Sequence, residues 1–355
     1  MAHTEIARRR LANQRIDGEK FEKPEEVVRW LGAVQAQDYA QALWAVGLRM
    51  KSATMADVER AINDGKIVRT WPMRGTLHFV PPEDVRWRLE LSASRILARD
   101  GRRLAQLGLD LEIIERCKEL FYEALKGNRR LTRPEMMQVL EETGIGTQKQ
   151  RGYHILWYLS QDALICPGPM QGKQQTFVLL DDWVPDSREL SREDSLAELA
   201  ARYFASHGPA TVHDFAWWAG LTVTEARTGV EATESGLVSQ KLDGKEYWTA
   251  ADTPDHTARN GSGVHLLPAF DEYLLGYKDR AAALTAEDAL RVIPGKNGIF
   301  LPTIVVDGLI VGTWKRKLKK TSVDITLKPF AGPDDLDERA AEAAKAYSDF
   351  VGVAD

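Results

Sequence analysis

Apolar residues recur at helical spacing through most of the chain, and at intervals the pattern switches to short alternating runs. Val27, Val28, Leu31 and Val34 form a stripe behind Pro24, which suits a first helical turn. Asp38 followed by Gln41 predicts an N-cap with a capping-box partner, so a new helix is expected through Leu43, Trp44 and Val46. Another should run from Thr54 through Val58 and Ile62 to the Asn63-Asp64-Gly65 stop. Lys66–Val80 then takes on strand chemistry, with Ile67, Val68, Thr70 and Trp71, a turn at Pro72–Gly75, and Thr76–Val80.

The same outline returns twice. Asp84–Arg103 and Leu111–Leu125 read as helices, and Thr132-Arg133-Pro134-Glu135 is a capping box with proline inside the first turn of a helix to Glu142. Gln148–Gln161 is the next helix. A hairpin follows from Leu164–Cys166, a Pro/Gly turn at 167–172 and Thr176–Leu180. A third set has a helix from Ser191 to His207, one capped by Thr211, one capped by Thr222 or Thr224, and a hairpin about Asp243-Gly244. Helix, helix, helix, hairpin, repeated about every 80–100 residues, is a repetition of architecture rather than of sequence. It predicts an α+β, mainly helical fold of three tandem winged-helix units, a helix-turn-helix with a β-hairpin wing. The expected boundaries are 1–82, 83–186 and 187–252. Residues 253–355 should form a C-terminal β-hairpin region: strands around Asp307-Gly308, which suits a type I′ turn, a basic turn at 315–320, a third strand at 322–327 and a terminal helix from Asp334 to Val351.

Composition narrows the classes. The net charge of −5 argues against a generally adhesive nucleic-acid binder, so any nucleic-acid face must be local. No apolar run approaches the ~20 residues that a membrane helix needs, and the first residues lack the apolar core of a signal peptide. Cys117 and Cys166 have no metal or redox spacing, which suggests partly buried, reduced thiols and a cytoplasmic protein. The seven histidines lack metal-ligand spacing and there is no phosphate-cradling glycine loop, so neither a metal nor a cofactor is expected. No serine or cysteine sits in a nucleophile signature.

Three constellations could carry chemistry. Gln35 and Gln37 stand at the expected helix junction; at i and i+2 they cannot share one face of a regular helix, so they converge only if the backbone changes course. Two amides there could hold a water, read a base edge or tie two helices together. Lys315, Arg316, Lys317, Lys319 and Lys320 crowd a predicted hairpin tip. Such a cluster suits a solvated turn guarded against edge pairing, or a hairpin that tracks phosphates. Arg69 and Arg74 flank the first wing's turn, and Arg74, Thr76 and His78 should share one face of its second strand, either half exposed or facing DNA. The Arg-rich helix after it carries Arg86, Arg88, Arg95, Arg99, Arg102 and Arg103, consistent with a further phosphate contact or with a common exposed Arg-rich face. Asp271-Glu272, beside aromatics, reads as a structural ion pair or cap, with an auxiliary electrostatic role as the alternative.

Taken together, Leu31-Gly32-Ala33-Val34-Gln35-Ala36-Gln37, Arg69-Thr70-Trp71-Pro72-Met73-Arg74-Gly75-Thr76-Leu77-His78, Leu267-Pro268-Ala269-Phe270-Asp271-Glu272-Tyr273 and Gly312-Thr313-Trp314-Lys315-Arg316 resemble a bacterial winged-helix family. That family includes the azinomycin-resistance and interstrand-crosslink-unhooking DNA glycosylases. The resemblance covers nearly the whole chain in order. It implies a concave DNA channel, a hairpin that probes the duplex, and a catalytic Gln-x-Gln, matched here by Gln35 and Gln37. Asp38 stands one position too late for the Gln-x-Asp form of the family. The expected activity is monofunctional hydrolysis of the N-glycosidic bond of N7-alkylated purines, bulky or crosslinked adducts included. The expected partner is damaged double-stranded DNA, bound by a monomer. The rival expectation is a non-catalytic winged-helix DNA-binding protein or regulator.

Overall fold

The computed structural model describes residues 2–233, 236–253, 263–295, 298–319, 321–330 and 335–352. It is an α+β fold, about half helical, with small antiparallel sheets. In chain order, α1 (Ala2–Asn13) and α2 (Pro24–Leu31) lead to a two-residue strand β1 (Val34–Gln35), then α3 (Tyr39–Gly47) and α4 (Met55–Asn63). The hairpin β2 (Val68–Met73) and β3 (Thr76–Val80) precedes the long α5 (Val85–Gln106) and α6 (Leu111–Leu125). Next come β4 (Leu131–Thr132), α7 (Arg133–Glu142), α8 (Arg151–Gln161), β5 (Ile165–Gln171), β6 (Gln174–Leu179) and α9 (Leu180–Trp183). The remainder is α10 (Arg192–His207), α11 (Val212–Ala219), α12 (Val223–Ala232), β7 (Leu237–Leu242), β8 (Lys245–Ala250), β9 (Val264–Leu267), α13 (Glu272–Leu275), α14 (Ala289–Val292), β10 (Thr303–Val306), β11 (Leu309–Leu318), β12 (Val323–Pro329) and α15 (Leu336–Val351). Among the described residues, no helix is long and apolar enough to cross a membrane.

The chain divides into two compact units. One combines Met1–Glu59 with Leu196–Asp355, and the other is Arg60–Ser195. The divisions fall inside α4 and α10.

Arg60–Ser195 has its own core. Ile114, Cys117, Phe121 and Leu125 of α6 pack with Met136 and Leu140 of α7, Ile155 and Leu159 of α8, and Trp71 of β2. The α7 capping box forms as its sequence predicts: Glu135 accepts from the Thr132 N–H at 2.6 Å and from its hydroxyl at 2.7 Å. β6 pairs with β4 on one side and β5 on the other. The expected Pro/Gly turn is instead strand, because β5 runs through Pro167, Gly168 and Pro169 to Gln171. A register shift between Pro167 and Met170 and an edge position in the sheet spare the ladder the missing proline donors. Burial pushes the Cys117 thiol up to about 11 and the fully buried Cys166 thiol well above its ordinary range. Neither cysteine should react with a thiol reagent in the native protein at pH 8, and both should react after denaturation. A colorimetric thiol count before and after guanidinium tests this.

In the other unit, capping boxes start α11 (Thr211 with Asp214) and α12 (Thr222 with Glu225), so Thr222, not Thr224, is the cap. The four-stranded sheet runs β12-β11-β10-β9. Its Asp307-Gly308 turn has φ of 52° and 89°, as a type I′ turn requires. The indoles of Trp44 and Trp314 donate to the carbonyls of Leu266 and Leu267, both at 2.8 Å, and so tie α3 and β11 to β9. Tyr347 meets the rings of Trp44 and Trp314 edge-on, and Phe350 tilts against Trp44; these ring contacts seat α15.

Candidate active site

The two candidate glutamines lie at the α2–α3 junction. α2 ends at Gly32, whose φ of 77° a side chain would resist. The backbone beyond it is extended as β1, so the periodicity changes from 3.6 to two. Val34 and Ala36 are consequently buried, Gln35 is half-buried and Gln37 is exposed. The strand is only two residues long, and the backbone bends at Gln37 and Asp38 before α3 begins, so the pair does not lie on a regular helix. Asp38 then caps α3 by accepting from the Gln41 N–H at 3.2 Å. The return half of the expected capping box is not made. The side-chain oxygen of Gln41 accepts instead from the Ala269 N–H at 3.1 Å, fastening the start of α3 to the segment before Asp271.

Asp271 and Glu272, adjacent in sequence, part ways. Asp271 caps α13 through the Tyr273 N–H at 2.9 Å and grips Arg49 with both oxygens, at 2.8 and 2.9 Å. Arg49 is fully buried, and its remaining donors reach Gln14 O, Gln14 Oε1 and Ala45 O. All five guanidinium hydrogens are therefore used, which makes Asp271 a structural partner. Glu272, also fully buried, points back toward the junction. Its Oε1 accepts from the Gln35 N–H at 3.1 Å, its Oε2 accepts from the Trp218 indole at 2.8 Å, and His207 Nε2 lies 3.5 Å from Oε2. His207 stacks on Tyr203 at 4.8 Å, and burial lowers its pKa.

Nothing in the sequence marked Gln14, Arg49, His207 or Trp218 as neighbours of the junction. They arrive from just after α1, just after α3, the end of α10 and α11, and no local pattern encodes such convergence.

The basic hairpin differs from the expected tip. Lys315, Arg316 and Lys317 are paired in strand β11 opposite Thr326, Ile325 and Asp324, and the turn begins only at Lys319. Strand alternation separates the charges. Lys315 and Lys317 are exposed, whereas Arg316 is half-buried and lies over the Tyr347 ring at 5.6 Å. Lys319 is ion-paired with Asp324 at 2.7 Å. Lys320 lies outside the described residues.

In the Arg60–Ser195 unit, the β2–β3 hairpin is more internally bonded than its polarity suggested. Arg69 donates to Gln175 at 2.9 Å. His78 is fully buried rather than on an exposed polar face. Its Nδ1 lies 2.8 Å from the Thr76 carbonyl, which can only accept, so Nδ1 carries the proton and Nε2 accepts from Arg74 at 3.2 Å. Arg74 itself holds φ 55° in the turn. Thr76 is half-buried. On α5, Arg86 is paired with Asp181 and Arg88 is buried beside Asp84, while Arg99 and Arg102 are exposed.

Comparison with known proteins agrees with this architecture. Over 350 residues, 95% of this chain and 93% of the relative, the sequence is 25% identical to an interstrand DNA cross-link repair glycosylase of Streptomyces sahachiroi. The solved structure of the Streptomyces sahachiroi DNA glycosylase AlkZ superimposes with a TM-score of 0.83 at 23% identity, covering 99% of this chain and 96% of that one. A family model described as DNA glycosylase AlkZ-like matches residues 28–350, from the helix before the glutamine pair to the terminal helix, and the chain belongs to that AlkZ-like DNA glycosylase family.

Proposed function

We infer that this protein is a monofunctional DNA glycosylase that hydrolyses the N-glycosidic bond of N7-alkylated purines, crosslinked or bulky adducts included. The observation that carries the reading is the α2–α3 junction, where Val34 and Ala36 are buried while Gln35 stays half-buried and Gln37 exposed. An N7-alkylated purine is already cationic and needs no proton to leave. What the protein must supply is a positioned water and a polar surface for an oxocarbenium-like sugar. A glutamine carbonyl accepts from water while its amide donates elsewhere, so two amides suffice. Gln37, the more exposed, holds the water, and Gln35 orients it or the deoxyribose. No lysine nucleophile enters, and no strand cleavage accompanies base loss.

The three helix-helix-helix-hairpin sets read as tandem winged helices that carry the duplex. In the second, β4 pairs with β6 and β5 beside α7 and α8. In the third, Ala210 bridges to Trp248 of the β7–β8 wing beside α11 and α12. The likeness to an interstrand cross-link repair glycosylase supports the bulky substrate, and the protein acts as a monomer.

The test is incubation with a duplex containing N7-methylguanine and with a nitrogen-mustard interstrand crosslink. Free base and heat-labile abasic sites are expected from the first, and separated strands from the second. Duplex binding with no abasic product from either would sink the reading. On the hairpin, Lys315→Ala with Lys317→Ala should reduce the slope of log affinity against log salt by about 1.8, at about 0.9 for each phosphate no longer neutralised. Lys319→Ala should change it less, because Asp324 already neutralises that charge. A titration over several salt concentrations decides, and an unchanged slope for the double variant removes the hairpin from the DNA contact.

A further inference from the structure

We propose that Glu272 is a positioning residue for the Gln35–Gln37 segment, clamping the Gln35 peptide from behind; this rests on the glycosylase reading above. Glu272 has no exposed surface, so it can act on a substrate only through the residues it holds. Burying a carboxylate is costly, and a well-packed apolar side chain at the same place would serve stability as well or better. Its neighbour Asp271 has a bidentate arginine. Beside Glu272 stands His207, 3.5 Å away and with its charged form disfavoured by burial.

What Glu272 does have is a division of labour between its oxygens. Oε2 is fixed by the Trp218 indole at 2.8 Å, and this orients the group. Oε1 is thereby aimed at the backbone N–H of Gln35, at 3.1 Å. The segment it holds is only a few residues long, running from Gly32 with its positive φ to the Asp38 cap of α3. A backbone bond in the middle sets the direction in which both glutamines leave. The rear attachment is itself braced, since Gln14 donates to the Glu272 carbonyl at 3.3 Å and to the Tyr277 hydroxyl at 3.0 Å.

The donor pattern gives a test that a merely structural role would not pass. In Glu272→Gln the amide can offer its oxygen to only one of two N–H groups and sets its own NH2 against the other, so a donor faces a donor at either Gln35 or Trp218. Trp218→Phe removes the competing indole donor and lets the amide oxygen return to Gln35. Glu272→Gln should slow single-turnover base release about ten- to a hundredfold, the scale of one unsatisfied buried donor, with duplex affinity unchanged. Glu272→Gln/Trp218→Phe should recover most of that loss despite carrying a second substitution. Deuterium exchange of the peptide covering residues 33–37 should accelerate in the single variant and slow again in the double variant. The thermal midpoint of each variant reports whether it folds.

A Glu272→Gln protein that releases base at the wild-type rate overturns the proposal, and so does unchanged exchange at 33–37. Failure of the double variant to recover also overturns it, because the carboxylate's charge and not its hold on Gln35 would then be what matters. Absence of base release from the wild type would instead fail the glycosylase reading, and the exchange experiment would still decide whether Glu272 fixes the Gln35 peptide.

Discussion

Gln37→Ala should lower single-turnover release of N7-methylguanine by about a hundredfold or more, while affinity for the same duplex changes little. The size follows from the role. A side chain that positions the attacking water, or a dipole aimed at developing charge, supplies on the order of 10²–10³ in rate. The specificity of the effect follows from placement. Gln37 is exposed, and nearby Val34 and Ala36 carry the packing. Truncating it leaves the core packing intact, so the thermal midpoint should stay within about 2 °C, the range of an ordinary surface substitution. Gln35→Ala should lose a comparable factor, but through orientation, because its backbone N–H remains bonded to Glu272. The two losses should be less than additive, as for groups that act as a unit. Measurement is by quench-flow base release and by duplex titration on the same preparations. A Gln37→Ala protein that cleaves as fast as the wild type would move the chemistry away from this junction.

Asp271→Ala should be the most destabilising single substitution near the site. Arg49 is fully buried and spends all five N–H donors inside the protein, two of them on Asp271. Removing the carboxylate leaves a buried, unbalanced guanidinium with two empty donors. Breaking a buried pair from one side costs about 3–5 kcal/mol, which for a unit of this size is a fall of about 10 °C in midpoint. The cap of α13 is lost at the same time, since Asp271 also accepts from the Tyr273 N–H. Arg49→Met with Asp271→Ala should be milder than Asp271→Ala alone, because no charge is then left stranded in the interior. Thermal or denaturant unfolding of the two variants provides the comparison. Equal stability for Asp271→Ala and the wild type would mean that Arg49 escapes to water, contrary to its enclosure by Gln14 and Ala45.

Much of the molecule is legible from local signals. The Thr132 capping box, the Asp38 cap and the Asp307-Gly308 turn all form, because each depends on a few neighbouring residues and on backbone rules that tertiary context seldom reverses. Where the structure departs from expectation, local signals oppose one another. Pro167 and Pro169 announce a turn, and an edge strand with a bulge absorbs them. Five cations in six residues suggest a tip, and pairing with β12 extends the strand through most of them. Alternation predicts an exposed His78, yet it is enclosed and bonded to Arg74 and the Thr76 carbonyl.

The sequence by itself determined most of the longer helices, several of their caps, the Asp307-Gly308 turn, and that two glutamines stand at a junction between helices. Those properties are set within a few residues along the chain. Only the tertiary structure decided that the junction holds a two-residue strand and then a bend, with Gln35 half-buried and Gln37 exposed, and that Asp271 and Glu272 serve different ends. Asp271 is committed to Arg49 and Glu272 to the Gln35 peptide. That division depends on partners more than two hundred residues away in sequence, which meet only in the folded interior, where leaving a charged group without a partner is costly.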